Sequence, residues 1–374
     1  MIVTSFPFPE GKATSNRVMA IANGCLKKFK QSTVTIICSS NKPNKSIILR
    51  DNLRVTNIQN NDFNRKNYFI RIYRELMIAV KLFQSSGKIN PDITFVTIPS
   101  PFLLIPLIFY SKKREIILDI RDAVWTYFSN PYFKWVLKKT FSLIFSLIEE
   151  NLRAISVTNL HEAKSLSNLT EKSSFVVPNG ISIRRYSELS KIKHKAISSN
   201  IKVVYTGNVG IAQELSVLIY LARYFKDKII IEIIGDGAEL EDIKKQCHIM
   251  EIHNINFHGF LCKNEIYKFL ESADILFAQI GSKFSSAIPS KVFEYIASGR
   301  RVLLGLPDGP AKNIFRKFKG TEIYDVNHKN EIINSLQILL NDAFDDDDRK
   351  HNLKILKANF IREEITENFL NEIF

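Results

Sequence analysis

Three short segments in the second half of the chain combine residue types that suit phosphate. Val203-Val204-Tyr205-Thr206-Gly207-Asn208-Val209-Gly210 reads as a β-strand running into a glycine-bearing turn, with a helix after it. Glycines let a backbone approach a phosphate, and a helix start presents free N–H groups to an anion. Ile231-Glu232-Ile233-Ile234-Gly235-Asp236-Gly237 repeats the strand-and-turn pattern. Ile288-Pro289-Ser290-Lys291-Val292-Phe293-Glu294 opens a helix with a cation in its first turn and a carboxylate three residues later on the same side. Such a pair has the chemistry to hold a diphosphate through Lys291 and a ribose diol through Glu294. Each segment also has a plain structural reading. Strand-end glycines serve turn geometry, and Ser290 and Glu294 suit the start of any helix through capping and the helix dipole.

The elements that must position these segments follow from hydrophobic periodicity. In the first half, strands at Met1–Ser5, Thr33–Cys38, Ile93–Ile98, Glu115–Ile120, Ala154–Thr158 and Phe175–Val177 alternate with helical patterns. The helices run from Ser15 to about Lys30, then over Tyr68–Phe83, Pro101–Tyr110, Phe133–Leu152 and His161–Ser167. Ile181–Asn200 is rich in Ser, Lys and Arg, lacks a sustained apolar period and reads as a linker. The alternation then restarts, with strands at Lys202–Tyr205, Ile229–Ile234, Ile255–Phe257, Ile275–Ala278 and Arg301–Gly305. Helix-forming stretches separate them, and Asp345–Asp348 reads as a solvated turn between two terminal helices. Strand and helix alternating twice over predict an α/β protein with two doubly wound parallel sheets, which bind ligands at the carboxyl ends of their strands. The expected domains are 1–180 and 201–352, joined by the linker 181–200, with a terminal helix over 353–374 returning to the first domain.

Composition narrows the class. The chain has 374 residues, 45% apolar and 24% charged, which suits two globular domains. Its net charge of +14 is lopsided: residues 1–180 carry 25 Lys+Arg against 12 Asp+Glu, and the remainder is almost neutral. A basic face attracts polyanions, either nucleic acid or anionic lipid, and charge alone does not choose between them. The four cysteines form no CxxC pair and no His/Cys cluster has zinc spacing, so no metal is expected. Cys25 and Cys38 read as buried thiols of a reducing compartment. The longest apolar run, Pro99–Tyr110, is shorter than a spanning helix needs, and no secretory signal opens the chain.

Taken in order and spacing, the turns resemble those of glycosyltransferase family 4, of the two-Rossmann-domain GT-B class with a central cleft. The matching residues are Tyr205 to Gln213, Gly235-Asp236-Gly237, His258-Gly259-Phe260, Ala273-Asp274-Ile275 and Pro289 to Gly299. In the first half they are Ala13 to Arg17, Asp119-Ile120-Arg121-Asp122 and Val177-Pro178-Asn179-Gly180. The similarity is greatest to the branch that builds bacterial surface polysaccharides, including L-fucosamine transferases. It implies metal-independent transfer, with retention, from a UDP-linked donor to a lipid-linked or saccharide acceptor, and no cofactor. By position, Gly207, Asn208, Gly210 and Gln213 would cradle the diphosphate, with Gly235, Asp236 and Gly237 beside them. Gly259 and Phe260 would sit by the base. Lys291, opened by Pro289 and Ser290, would neutralise the leaving group, and Glu294 would bind the ribose. Asp122 would orient or deprotonate an acceptor hydroxyl, its alternative being a structural carboxylate paired with Arg121 or Arg17. Gly11, Lys12 and Arg17 would contact acceptor or phosphate, although Arg17 also suits a solvated helix face. The chain departs from the family pattern in three places: Asn208 and Gln213 stand where many members carry cations, Ser286 replaces the first of two glutamates, and Lys12 stands in a common glycine pair.

The helix near Tyr132–Ile148 mixes aromatic residues with Lys134, Lys138 and Lys139. Lys134, Trp135, Lys138 and Lys139 would form a lipid-facing tip on an anionic membrane, which implies a cytoplasmic protein held on the inner face of the cell membrane. A core helix with its lysines in water is the alternative. Two other functions fit parts of the pattern: a nucleotide-sugar epimerase of the same fold, and a polyanion-binding protein. No groove-reading or RNA-binding motif is present, so nucleic acid is not an expected partner.

Overall fold

The computed structural model describes residues 1–9, 13–60, 68–98, 100–112, 114–121 and 131–374. Contacts divide the chain into two compact units, Met1–Asn179 with Arg362–Phe374, and Gly180–Ile361.

The first unit runs β1 (Ile2–Thr4), α1 (Ala13–Lys28), β2 (Val34–Ser40), β3 (Lys45–Arg50), β4 (Leu53–Gln59), α2 (Tyr68–Ser86) and β5 (Ile93–Ile98). It continues with α3 (Leu104–Tyr110), β6 (Glu115–Ile120), α4 (Pro131–Ile148), β7 (Leu152–Val157), α5 (Leu160–Leu166) and β8 (Ser174–Val176). Among the described residues the sheet has eight strands in the order β3-β4-β2-β1-β5-β6-β7-β8, parallel except for β3. Period-two alternation splits its side chains between two cores. Val3, Ile37, Ile116 and Leu118 pack with α2, α3 and α4, while Ile2, Ile36 and Ile117 pack with α1 on the other face.

The second unit runs α6 (Ile183–Leu189), β9 (Ile201–Thr206), α7 (Val217–Tyr224), β10 (Ile229–Ile234), α8 (Leu240–Ile249), β11 (Ile255–Gly259) and α9 (Lys263–Ser272). Then come β12 (Ile275–Gln279), α10 (Lys291–Ala297), β13 (Arg301–Leu306), α11 (Pro310–Phe315), β14 (Thr321–Asp325), α12 (Glu331–Asn341) and α13 (Asp346–Asn359). Its parallel sheet has the order β11-β10-β9-β12-β13-β14. The chain builds outward from β9 and then crosses to its other side, so the carboxyl ends of β9 and β12 flank a topological switch point, where such sheets bind ligands. The final helix, α14 (Arg362–Ile373), packs on α1 of the first unit, with Leu370 lying over the bare Cα of Gly24.

The structure departs from the sequence reading in places with physical causes. The hairpin β3–β4 was not anticipated: every residue of β3 is exposed, so no burial period marks it, and charges at Lys45 and Arg50 suit an edge strand. The supposed linker 181–200 contains α6, whose Ser182 side chain caps the Arg185 N–H and whose Leu189 is buried. Asp345–Asp348 is not a turn. Asp345 caps α13, accepting from the Asp347 and Asp348 N–H groups, and the next three aspartates form its first turn, where the dipole favours them. The terminal helical stretch is broken at Phe360-Ile361, because Phe360 O accepts from Ile181 N (2.8 Å) and Ile361 bridges to Ile181. Among the described residues no helix is long and apolar enough to cross a membrane.

Candidate functional site

The turn after β9 is fixed from both sides. On one side, Gly207 N donates to Ile234 O (2.8 Å) and Val209 N to Asp236 O (2.9 Å), which ties it to the turn after β10. On the other, Gly281 N donates to Ala212 O (2.8 Å) and Gln279 Nε2 to Glu214 O (3.0 Å), which ties it to the end of β12. Within the turn, the Tyr205 hydroxyl donates to Asn208 O (2.6 Å), Gln213 N donates to Gly210 O (2.9 Å), and the Asn208 and Gln213 amides meet at 3.2 Å. Gly235 N in turn donates to Gly259 O (2.7 Å), so three strand-end turns form one hydrogen-bonded rim. Gly235 has φ +143°, and a Cβ there would fall 1.7 Å from Gly207 O. Only glycine permits this approach of the two turns.

Helix α10 is brought to the same rim by Tyr295. Its buried hydroxyl accepts from Thr206 N (2.9 Å) and lies within hydrogen-bond reach of Thr206 O and Oγ1. Burial pushes its pKa up to about 12, so the hydroxyl keeps its proton. One turn earlier on the helix, Lys291 Nζ stands 3.6 Å from the position a Gly207 Cβ would occupy. The Lys291 side chain is exposed to solvent, yet nearby protein partly desolvates its ammonium. That desolvation lowers its pKa; Glu294 opposes the shift and Arg185 adds to it. Glu294 is half-exposed and its Oε2 accepts from Arg185 Nε at 3.0 Å.

The structure thus brings together Gly207, Asn208, Gly210, Gln213, Gly235, Asp236, Gly237 and Gly259 on the rim, with Lys291 and Glu294 on the adjacent α10. Asp236 accepts from Gly237 N (2.7 Å). Phe260 follows the rim with its ring 89% exposed. Ser290 occupies the N-cap position of α10 but makes no side-chain cap, and Pro289 O accepts from Val292 N (3.1 Å). Ser286 is buried.

Arg17 requires a correction. It was expected to touch phosphate or acceptor, or to lie on a solvated face. Instead it is buried, with Nε on both carboxylate oxygens of Asp119 (2.9 and 3.0 Å) and Nη1 on Val177 O (2.5 Å). Burial alone would raise the Asp119 pKa, but Arg17, Arg121 and Ser156 together bring it below the ordinary value. The pair joins α1, β6 and the end of β8. Gly11, Lys12 and Asp122 lie outside the described residues. On α4, Trp135, Lys138 and Lys139 are exposed, Trp135 stacking on Tyr132 at 6.4 Å, whereas Phe141 and Phe145 are buried; the Lys134 side chain is not described.

Sequence reasoning missed Arg185. Ser182 followed by Ile183, Tyr186 and Leu189 at helical spacing could have marked its helix. Nothing local signals its pairing with a carboxylate 109 residues away.

Residues 187–355, all within the second unit, match the family model of Glycosyl transferases group 1. No curated protein matches the chain in sequence. Solved structures share its fold. Trehalose-6-phosphate from E. coli bound with UDP-2-fluoro glucose has a TM-score of 0.73 at 12% identity, covering 100% of this chain and 98% of that one. Sucrose-phosphate synthase from Thermosynechococcus elongatus has 0.76 at 13%, covering 99% and 97%. HepE from Anabaena, in complex with UDP and glucose, has 0.67 at 12%, covering 100% and 98%. With two Rossmann-like units and a glycosyl transferases group 1 domain over residues 187–355, the chain is a glycosyltransferase of the GT-B fold.

Proposed function

We propose that the protein transfers a hexose, in particular an N-acetylated amino sugar, from a UDP-linked donor to a lipid-linked or saccharide acceptor in bacterial surface-polysaccharide synthesis. The observation that carries this reading is the approach of Lys291 Nζ to Gly207 on a rim of strand-end turns, with Glu294 one helical turn along. In the reaction the acceptor oxygen bonds to the anomeric carbon as the bond from that carbon to the diphosphate breaks. Lys291 and backbone N–H groups of the turn after β9 offset the charge that develops on the departing diphosphate, the metal-independent chemistry that the family resemblance implies. Glu294 accepts from the ribose hydroxyls, and the exposed Phe260 ring lies where a base can stack. Asp122, next in the chain after Arg121, takes the acceptor proton. Two structural relatives hold UDP or a UDP-sugar, which supports uracil as the base. The neutral pair Asn208 and Gln213 supports the amino-sugar branch.

A cytoplasmic position on the inner membrane face is supported by the exposed stripe of α4. Tyr132, Trp135, Leu143 and Leu147 are large exposed apolar residues there, and Lys138 and Lys139 lie among them. Phe109 on the neighbouring α3 adds to it. Aromatic residues interleaved with lysines suit an anionic interface.

The test is a thermal-shift screen of nucleoside diphosphates and their sugars, followed by transfer assays with lipid-linked acceptors. Stabilisation by UDP and UDP-sugars together with acceptor-dependent product supports the reading, since a native-state ligand raises apparent stability. Release of a free epimer from donor alone would refute it.

A further inference from the structure

Arg185 carries none of the donor-site roles proposed above, yet its geometry ties it to Glu294. It lies on α6, and α6 packs on α10, with Leu189 in the core that also holds Val292 and Phe293. Its guanidinium Nε donates to Glu294 Oε2 at 3.0 Å, and Nη1 reaches Glu188 Oε2 at 3.4 Å. The arginine side chain is only 14% exposed, whereas Glu294 keeps 37% of its surface open. Among the described residues the other Glu294 oxygen, Oε1, makes no protein hydrogen bond. Two cations, Arg185 and Lys291, thus flank one carboxylate that is pinned through one oxygen and open through the other.

We propose that Arg185 is a positioning residue for the nucleotide: it holds Glu294 in one orientation, with Oε1 presented to the ribose hydroxyls. The proposal rests on Glu294 as the ribose contact and adds the reason that contact is pre-organised. A glutamate on a helix surface samples several rotamers, and ordering it during binding opposes affinity. An arginine already bonded to one oxygen removes that loss before the nucleotide arrives, and its planar fork suits a carboxylate better than a flexible ammonium does. Its charge also adds to that of Lys291 in a site where Asn208 and Gln213 bring none. The property under Arg185 control is therefore discrimination at the ribose, beyond affinity as such.

The experiment is calorimetric binding of UDP, 2′-deoxy-UDP and 3′-deoxy-UDP to the full chain and its variants. Wild type is expected to prefer UDP over the better deoxy analogue by about tenfold or more, the loss associated with one hydrogen bond to a charged group. Glu294→Gln is expected to lose most of that preference. Arg185→Met should weaken UDP and shrink the preference to about twofold, while Arg185→Lys restores part of it. Where Arg185→Met does not fold, Arg185→Gln is read on the same ratio. An arginine that merely supports the fold would weaken all three ligands by one factor and leave the ratio unchanged, and that result overturns the proposal. A wild type that does not distinguish UDP from its deoxy analogues overturns the Glu294 reading first and this proposal with it. Loss of preference in Glu294→Gln but not in the Arg185 variants overturns this proposal alone.

Discussion

The rim of turns depends on an approach that a single methyl group would block. In Gly235→Ala the new Cβ would stand 1.7 Å from Gly207 O and 2.8 Å from Gly207 C. Real Cβ contacts essentially never close below 3.0 Å, so the two turns must separate by about 1.3 Å, in a packed region that resists small shifts. Both are pinned, by Gly207 N to Ile234 O (2.8 Å) and by Gly235 N to Gly259 O (2.7 Å). The φ of +143° adds backbone strain for an L side chain, of order 1–3 kcal/mol. A displacement of roughly 1 Å at a reacting site lowers turnover by about 100-fold. Gly320→Ala is the control. It too has a left-handed φ, +61°, and a clash, 2.5 Å to Phe344 Cδ2, but it precedes β14 at the amino end of the sheet. Both variants should lose comparable stability in urea unfolding. Only Gly235→Ala should lose UDP affinity by calorimetry and turnover in a transfer assay. Wild-type UDP affinity in Gly235→Ala, or an equal loss in Gly320→Ala, would refute the reasoning.

Other consequences follow from the same geometry. Lys291→Met should reduce turnover about 10²–10³-fold with unchanged circular dichroism, the loss expected for one charge-stabilising group. Because the Lys291 pKa is lowered, its active ammonium form is lost as pH rises through that lowered value. The alkaline limb of kcat/KM should therefore fall below the ordinary lysine value of about 10.4, and Lys291→Arg should move it upward. Arg17→Met removes the ion-pair partner of the fully buried Asp119 carboxylate, leaving it Ser156 and the Arg121 charge, and should cost about 3–5 kcal/mol of stability, measured by urea unfolding, with UDP binding retained. The Asp119 pKa is lowered in the native state, so the stability the pair contributes is complete above the ordinary aspartate value and lost as pH falls through the native one. Lys138→Gln with Lys139→Gln should weaken sedimentation with anionic vesicles about 30-fold, at about 1 kcal/mol per lysine, and neutral vesicles should show no difference.

The sequence alone determined the architecture, because periodicity and punctuation are local. Val203–Thr206 and Ile229–Ile234 are largely apolar runs stopped by Gly207 and Gly235, and they form two almost fully buried strands. The residue types at Gly207, Lys291 and Glu294 likewise suggested the phosphate and ribose contacts proposed above. What only the tertiary structure decided are the pairings between distant segments. Tyr295 anchors α10 to Thr206 across 89 residues, Arg185 grips Glu294 across 109, and Arg17 closes on Asp119 across 102. A charged side chain reads the same in sequence whether it faces water, a ligand or a buried counter-charge. The choice among these is made by desolvation and by the partner that folding brings within reach, and neither is a property of the local chain. For the same reason β3, exposed along its whole length, left no trace in the hydrophobic pattern, and α6, held by contacts with α10 and α13, left only the short spacing of Ile183, Tyr186 and Leu189.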